Sequence, residues 1–425
     1  MDVLLAFHLR RLLCRPDACT GKNPERLEHA KSERASGVQL AFGEGDPLAT
    51  DIGIVGGGLA GLRVANLLAR RLGREIDENR VRISLYAKDR EHTYACGLLC
   101  VSLGLRPLAH YTRKLADFVH RRVRLVVDEV SAIDVDKGRI HGAETHRFDI
   151  LVLATGAEPD FAFVPGFAEA SHNFYTREGA PRLYEALRSF SGGRIVFFVA
   201  PPFKGPAAPA EYLPLLADFL TRRGVRERTE LVYATPESTL HPREELARWM
   251  EETFARLGVH VERNVRPVAV HPEERYIETH LGTRIPFDLL VAIPPHRGAR
   301  VVEAANLPHS NGFVPVDPAT GRLPERDNVY VIGDAALTPW CKAGSTAHFM
   351  AETLVENLVH RLEGREEIAR FDGKTAFFLF ESFDRASFVT FAGGQGVRIS
   401  PPSPLFAAAK FAYDEAYWLG VLGLI

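Results

Sequence analysis

The segment DIGIVGGGLAG, Asp51 to Gly61, constrains this chain more than any other stretch. A short apolar run ends in a glycine cluster, which opens into the helix-spaced pattern LRVANLLARRLG and then a second strand, VRISLYA. Strand, turn, helix and strand make a βαβ unit. Glycines at Gly56, Gly58 and Gly61 permit a tight turn, close approach of backbone to a pyrophosphate and close helix-to-strand packing, while Leu59 and Ala60 begin a helix whose unpaired N–H groups suit phosphates. The bare motif is weak; its placement between strand and helix makes it a dinucleotide site. One expected part is missing. Where an acid usually ends the second strand to bind ribose hydroxyls, this chain has Ala87 and Lys88, with Asp89 just beyond.

The 425 residues exceed one ordinary core, and 46% hydrophobic with 25% charged residues describes a globular chain. A net charge of -2 argues against nucleic acid as the main partner. Five cysteines are too few to staple such a length and point to a reducing compartment, with thiols left for chemistry. Asp2, Arg10 and Arg11 spoil a secretory signal, so the expected location is cytoplasmic. Residues 1–48 read as a poorly ordered extension, in which Cys14 and Cys19 lack partners for a metal site, and no metal is expected elsewhere. The next Met is Met250, from which we expect translation to begin at a non-Met codon nearer Asp51; N-terminal sequencing that returned Asp2 or Val3 would contradict this. No run of 18 apolar residues spans a membrane. The closing stretch from Pro404, PLFAAAKFAYDEAYWLGVLGLI, carries only Lys410, Asp414 and Glu415 as charges, among Phe411, Tyr413, Tyr417 and Trp418. Residues 404–425 therefore read either as a helix in a membrane interface, with a snorkelling Lys410, or as a helix docked on the core or on a second subunit.

Two further segments, FDILVLATGAEP (Phe148 to Pro159) and NVYVIGDAA (Asn328 to Ala336), are buried strands running into glycine turns. With the first motif they make the chain resemble flavoproteins with two dinucleotide-binding domains. The resemblance implies FAD, with Thr155 and Gly156 packed beside it and Gly333 and Asp334 holding its ribityl and phosphate portion. Lys342 follows, in the expected first turn of a helix whose N-terminus would stabilise negative charge on the reduced flavin.

RIVFFV, Arg194 to Val199, repeats the strand of a second Rossmann-like domain, but prolines at 201, 202, 206 and 209 replace the glycine loop. They stiffen the turn and remove N–H donors, which argues against tight NAD(P)H binding, and so against a type II NADH dehydrogenase or an NADPH-dependent disulfide reductase. This loop, with FDLLVAIPPHRG, FDGKTAF and AYWLGVLG, resembles sulfide:quinone oxidoreductase and flavocytochrome c sulfide dehydrogenase from Asp51 to the C-terminus. The resemblance implies electron flow from sulfide through a redox cysteine pair to FAD, then to a quinone or cytochrome. Phe377, Phe378 and Phe380 would line a quinone slot, although phenylalanines at this density equally describe a core strand pair.

The family's cysteine pair is absent. One position falls on Gly205 and the other near Phe377 or Phe378. Cys96, Cys100 and Cys341 remain in the folded region. YACGLL around Cys96 resembles the flavin-facing cysteine segment of coenzyme A disulfide reductases and NADH peroxidases, and the segment of flavocytochrome c sulfide dehydrogenase that bonds covalently to flavin. Cys96 is thus expected beside the flavin, with Cys341 as a possible redox partner, and Glu211 matches a carboxylate the superfamily keeps there.

The expected fold is α/β: an FAD domain over 49–160 and 298–370, a second Rossmann-like domain over 161–297 without its glycine loop, and a quinone- or membrane-facing segment over 371–425. The expected activity is a peripheral-membrane, FAD-dependent oxidoreductase on the cytoplasmic side, passing electrons from a small sulfur donor to quinone; an oligomer is compatible with this. A soluble thiol or disulfide reductase using Cys96, and a flavin-bearing electron-transfer or scaffold subunit, are the alternatives.

Overall fold

The structure, a computed structural model, describes residues 49–425 apart from Asn306 and Pro308. The expected extension, Cys14, Cys19 and the expected start site lie outside the described residues. The chain first forms β1 (Thr50–Val55), α1 (Leu59–Arg71), β2 (Val81–Ala87), β3 (Val123–Val127) and β4 (Ile150–Leu153). Next come β5 (Ser171–His172), β6 (Gly193–Val199), α2 (Ala208–Arg222), β7 (Thr229–Ala234), β8 (Val259–Glu262) and β9 (Leu289–Ile293). It closes with β10 (Val329–Val331), α3 (Gly344–Leu362), β11 (Thr375–Ser382), β12 (Arg385–Phe391), β13 (Arg398–Ile399) and α4 (Pro404–Val421).

Two five-stranded sheets repeat one plan, β10-β4-β1-β2-β3 and β5-β9-β6-β7-β8, with every neighbour parallel. Parallel strands need crossovers that cover both faces, which is why ILVL of β4 and LLVAI of β9 are buried throughout. β10 rejoins the first sheet only after the second is complete, so the first is discontinuous in sequence, as expected. β1 lies between β4 and β2, where the strand order reverses, and the crevice beyond its carboxyl end is where such sheets take ligands.

The C-terminal sheet is an antiparallel β11-β12-β13 meander. α4 begins on Ser403, whose hydroxyl accepts from the Phe406 N–H at 3.3 Å, with Pro404 at the first helical position. Its buried residues Ala407, Lys410, Asp414, Tyr417, Trp418 and Val421 recur at helical spacing and make one stripe. Its far end is held by α1: Arg63 Nη1 donates to the Gly420 carbonyl at 2.5 Å, Asn66 Nδ2 to Val421 at 2.7 Å and Arg70 Nε to Leu422 at 3.1 Å. Carbonyls that a helix leaves open at its C-terminus are thus met by donors, two of them cationic.

This corrects the snorkelling reading. Lys410 is only 8% exposed and bonds Asp414 one turn on, while Tyr417 and Trp418 are buried, so the charge and two of the aromatic rings face the core. Among the described residues no helix is long and apolar enough to cross a membrane.

Candidate active site

The glycine loop is built for close approach. Gly56 has φ +123°, and a Cβ there would lie 2.2 Å from the Ala154 carbonyl oxygen; a Cβ on Gly61 would lie 1.9 Å from the Gly56 oxygen. Only glycine fits either position. At Gly58, by contrast, an added Cβ meets no atom within 4 Å. Gly58 caps α1 without a side-chain bond, and the first turn, with Leu59 and Ala60, carries no acid. Open space thus lies against an uncapped helix N-terminus, where N–H groups have no intrahelical partner. Thr155 Oγ1 is buried without a partner, and beside it Gly156 (φ +73°) also borders open space.

A second uncapped helix start adjoins the first. A Cβ on Gly333 would lie 3.3 Å from Ala60 and 3.5 Å from Ala347, and one on Gly344 would lie 3.6 Å from Leu59. Asp334 is held in this turn. Gly344 rather than Lys342 opens α3, so Lys342 precedes the helix and does not occupy its first turn. Its ammonium donates to the carbonyls of Asp334 at 2.7 Å and Ala336 at 2.9 Å, and burial pushes its pKa down to about 8. Ala87 is buried at the end of β2, and Lys88 pairs at the surface with Glu158. The open cradle, two uncapped helix starts and an orphaned hydroxyl fit a phosphate-bearing dinucleotide.

Gly205 N–H donates to the Lys342 carbonyl at 2.7 Å and Lys204 Nζ to the Ala157 carbonyl at 2.7 Å, so the proline loop is tied to both glycine turns of the first sheet. Gly205 has φ +75°, a conformation that costs a cysteine but not a glycine. Glu211, in the first turn of α2, is buried and accepts from the Phe380 N–H at 3.3 Å; burial pushes its carboxyl up to about 7. It is therefore not a solvated helix-start acid.

Cys96, Cys100 and Cys341 are free thiols. Cys96 is solvent-accessible, and the packing around it raises its pKa. Lys410, Asp414 and Glu211 are its charged neighbours. Cys100 is buried in the same charged surroundings. Cys341 has others: its sulfur lies 3.6 Å from the hydroxyls of Thr346 and Thr375, and its charged neighbours are Asp334 and Arg243. Cys96 thus shares its charged neighbours with Cys100, whereas Cys341 has different ones.

Phe378 and Phe380 are buried, with ring centroids 6.4 Å from Tyr413 and 5.8 Å from Phe411 on α4; Phe377 is half-buried against Phe391. Two of the three expected quinone-side rings thus fill the seam between hairpin and α4. His92, unremarked in the sequence, joins this seam to the cradle. Burial pushes it down to about 4, so it is neutral; Nδ1 must donate to the Gly57 carbonyl at 3.0 Å, leaving Nε2 to accept from the Tyr417 hydroxyl at 2.7 Å.

Residues 50–195 and 216–353 match the family described as pyridine nucleotide-disulphide oxidoreductase. The chain is 25% identical to the mitochondrial sulfide:quinone oxidoreductase of Dictyostelium discoideum over 395 residues, covering 88% of this chain and 86% of that protein. Its fold is similar to the crystal structure of sulfide:quinone oxidoreductase from Aquifex aeolicus, with a TM-score of 0.75 at 19% identity over 88% of this chain and 92% of that one. It is also similar to an NAD-dependent persulfide reductase from A. fulgidus, with a TM-score of 0.61 at 19% identity over 81% and 65%. With more than half its length in that match and both parallel sheets present, the chain belongs to the pyridine nucleotide-disulphide oxidoreductase family.

Proposed function

We propose that this chain is an FAD-dependent oxidoreductase that takes electrons from a small sulfur compound at Cys96 and delivers them to a quinone. Gly56, Gly58, Leu59, Ala60 and Gly61 would hold the pyrophosphate, Thr155 and Gly156 the neighbouring turn, and Gly333, Asp334 and Lys342 the remainder. When bound, the flavin supplies two-electron redox chemistry that no side chain offers. The observation that carries the donor side is the solvent-accessible Cys96 thiol, which has buried Glu211 among its charged neighbours. Near neutrality Glu211 is partly protonated, so it can take a proton from an incoming thiol or hydrosulfide and hold it beside Cys96. The relatives named for sulfide and quinone support this choice of substrates. The quinone and membrane side is assigned to β11, β12 and α4, where Phe377 is half-buried and Leu405 and Leu419 are exposed.

A thiol or disulfide reductase is the second reading, favoured by the absence of cysteine at Gly205 and at Phe377 and Phe378. Anaerobic titration of the purified flavoprotein with sulfide, NADH, NADPH and quinol, following the flavin absorbance, separates the two. Bleaching by sulfide or quinol and none by NADH or NADPH is the expected result. Rapid bleaching by NADH or NADPH would replace the first reading with the second.

A further inference from the structure

Three successive glycines, Gly56, Gly57 and Gly58, carry the chain from β1 into α1. Without side chains on either side, the peptide between Gly57 and Gly58 is free to turn its carbonyl or its N–H towards the open space at Gly58. A phosphate there tolerates only the N–H. The peptide is held from outside the loop, by His92 Nδ1, which donates to the Gly57 carbonyl at 3.0 Å. Because the peptide is trans, its N–H, on Gly58, points the opposite way, away from His92.

His92 is itself held tightly. It stands in the short strand Glu91–Thr93 and is only 6% exposed, its ring stacked on Tyr417 with planes 7° apart and edge-on to Trp418, both centroids 5.8 Å away. Arg113, opposite His92 in the hairpin register, covers the Trp418 ring at 4.4 Å. A carbonyl only accepts, so Nδ1 carries the ring proton and Nε2 takes the Tyr417 hydroxyl at 2.7 Å. The tautomer is thereby set by a residue of α4. The end of the same helix is bound to the body of α1, where Asn66 Nδ2 donates to the Val421 and Phe118 carbonyls at 2.7 Å each.

We propose that His92 and Tyr417 are positioning residues for the cofactor: Tyr417 fixes the tautomer of His92, and His92 turns the Gly57 carbonyl out of the cradle and the Gly58 N–H into it. The C-terminal helix thus sets how tightly the pyrophosphate is held. In the other tautomer, Nδ1 and the carbonyl oxygen would be two acceptors 3.0 Å apart, and the peptide would be released to turn.

The inference rests on the reading of FAD as the cofactor. Its test is the rate at which flavin-loaded protein releases flavin on dilution, followed by fluorescence, with circular dichroism as the check on folding. His92→Asn places an amide nitrogen where Nδ1 stands and keeps the bond to Gly57, whereas His92→Gln places its amide where Nε2 stands and keeps only the bond to Tyr417. Both remove the ring and its stacking. Release should stay within about twofold of wild type in His92→Asn and be roughly tenfold faster in His92→Gln. Tyr417→Phe, which loses one oxygen and leaves the tautomer unset, should release flavin about threefold faster, and it decides the matter where His92→Gln does not fold. Added to His92→Asn, Tyr417→Phe should change nothing further, because an amide has no tautomer to set. Equal rates in His92→Asn and His92→Gln, or a Tyr417→Phe effect that persists on top of His92→Asn, would show ring packing alone and overturn the inference. Variants that all release flavin like wild type would overturn it too, while the cofactor reading stands; wild-type protein that takes up no FAD would overturn that reading as well.

Discussion

β1 with α1 and β6 with α2 occupy equivalent places in sheets of one topology, yet only the first presents a phosphate cradle. Both strands end in buried apolar residues. The loops part company. After β1, glycines leave open space at an uncapped helix with no acid in its first turn. After β6, prolines occupy the turn and several of the remaining amides are already used: Gly205 N–H on Lys342, Ala208 N–H on Gly205, Ala210 and Glu211 N–H on Ala207. Buried Glu211 then puts a carboxyl where the first helix has none. Topology is inherited by both halves; ligand binding follows from which backbone donors are left free and from the charge beside them.

The largest effect should come from closing the first loop. Gly61→Val puts a branched side chain into the Gly56 carbonyl, and purified protein should contain no flavin or fail to fold, read as the ratio of flavin to protein absorbance alongside circular dichroism. Gly58→Ala sharpens the point. Its methyl meets no protein atom, so the fold should be unchanged, while flavin affinity drops roughly tenfold as a ligand-side clash; full affinity in Gly58→Ala would mean that the space at Gly58 is not the cradle.

Much of this contrast is visible in the residues, because strands, glycine turns and proline turns are local patterns. Which face of the C-terminal helix is buried, and against what, was not, and the reason is distance along the chain. Lys410 and Asp414 look like solvent charges until Tyr111, 303 positions earlier, is brought against them. Their spacing of four in an otherwise apolar segment was the one available signal. Whether Glu211 was buried or solvated depended on Phe380, 169 residues away. The misplacement of Lys342 was smaller: a cation two residues before a helix and one in its first turn read alike in sequence.

Glu211→Gln tests the charge half of the comparison. The folded carboxyl titrates at about 7, above the usual range, because burial disfavours its charged form. A raised pKa contributes stability at pH values below that of the unfolded group and loses it as pH rises through about 7. Wild type should therefore lose thermal stability relative to Glu211→Gln between pH 5 and pH 8, on the order of 3 kcal/mol at most. Parallel melting curves across that window would show that Glu211 does not titrate in the fold. The same variant should also flatten any step near pH 7 in flavin reduction by the sulfur donor.

The smallest effect is expected from the prolines. If they alone kept nicotinamide nucleotides out, replacing Pro202 and Pro206 by glycine would let NADH bleach the flavin. We expect no gain, because the helix-start amides remain bonded to Gly205 and Ala207, the Gly205 amide remains on Lys342, and Glu211 still opposes a phosphate at that end. Stopped-flow mixing of the double variant with NADH should match wild type within error. Bleaching in the double variant would show that the two halves differ by loop stiffness alone; bleaching only after Glu211→Gln is added would show that charge, not loop shape, separates them.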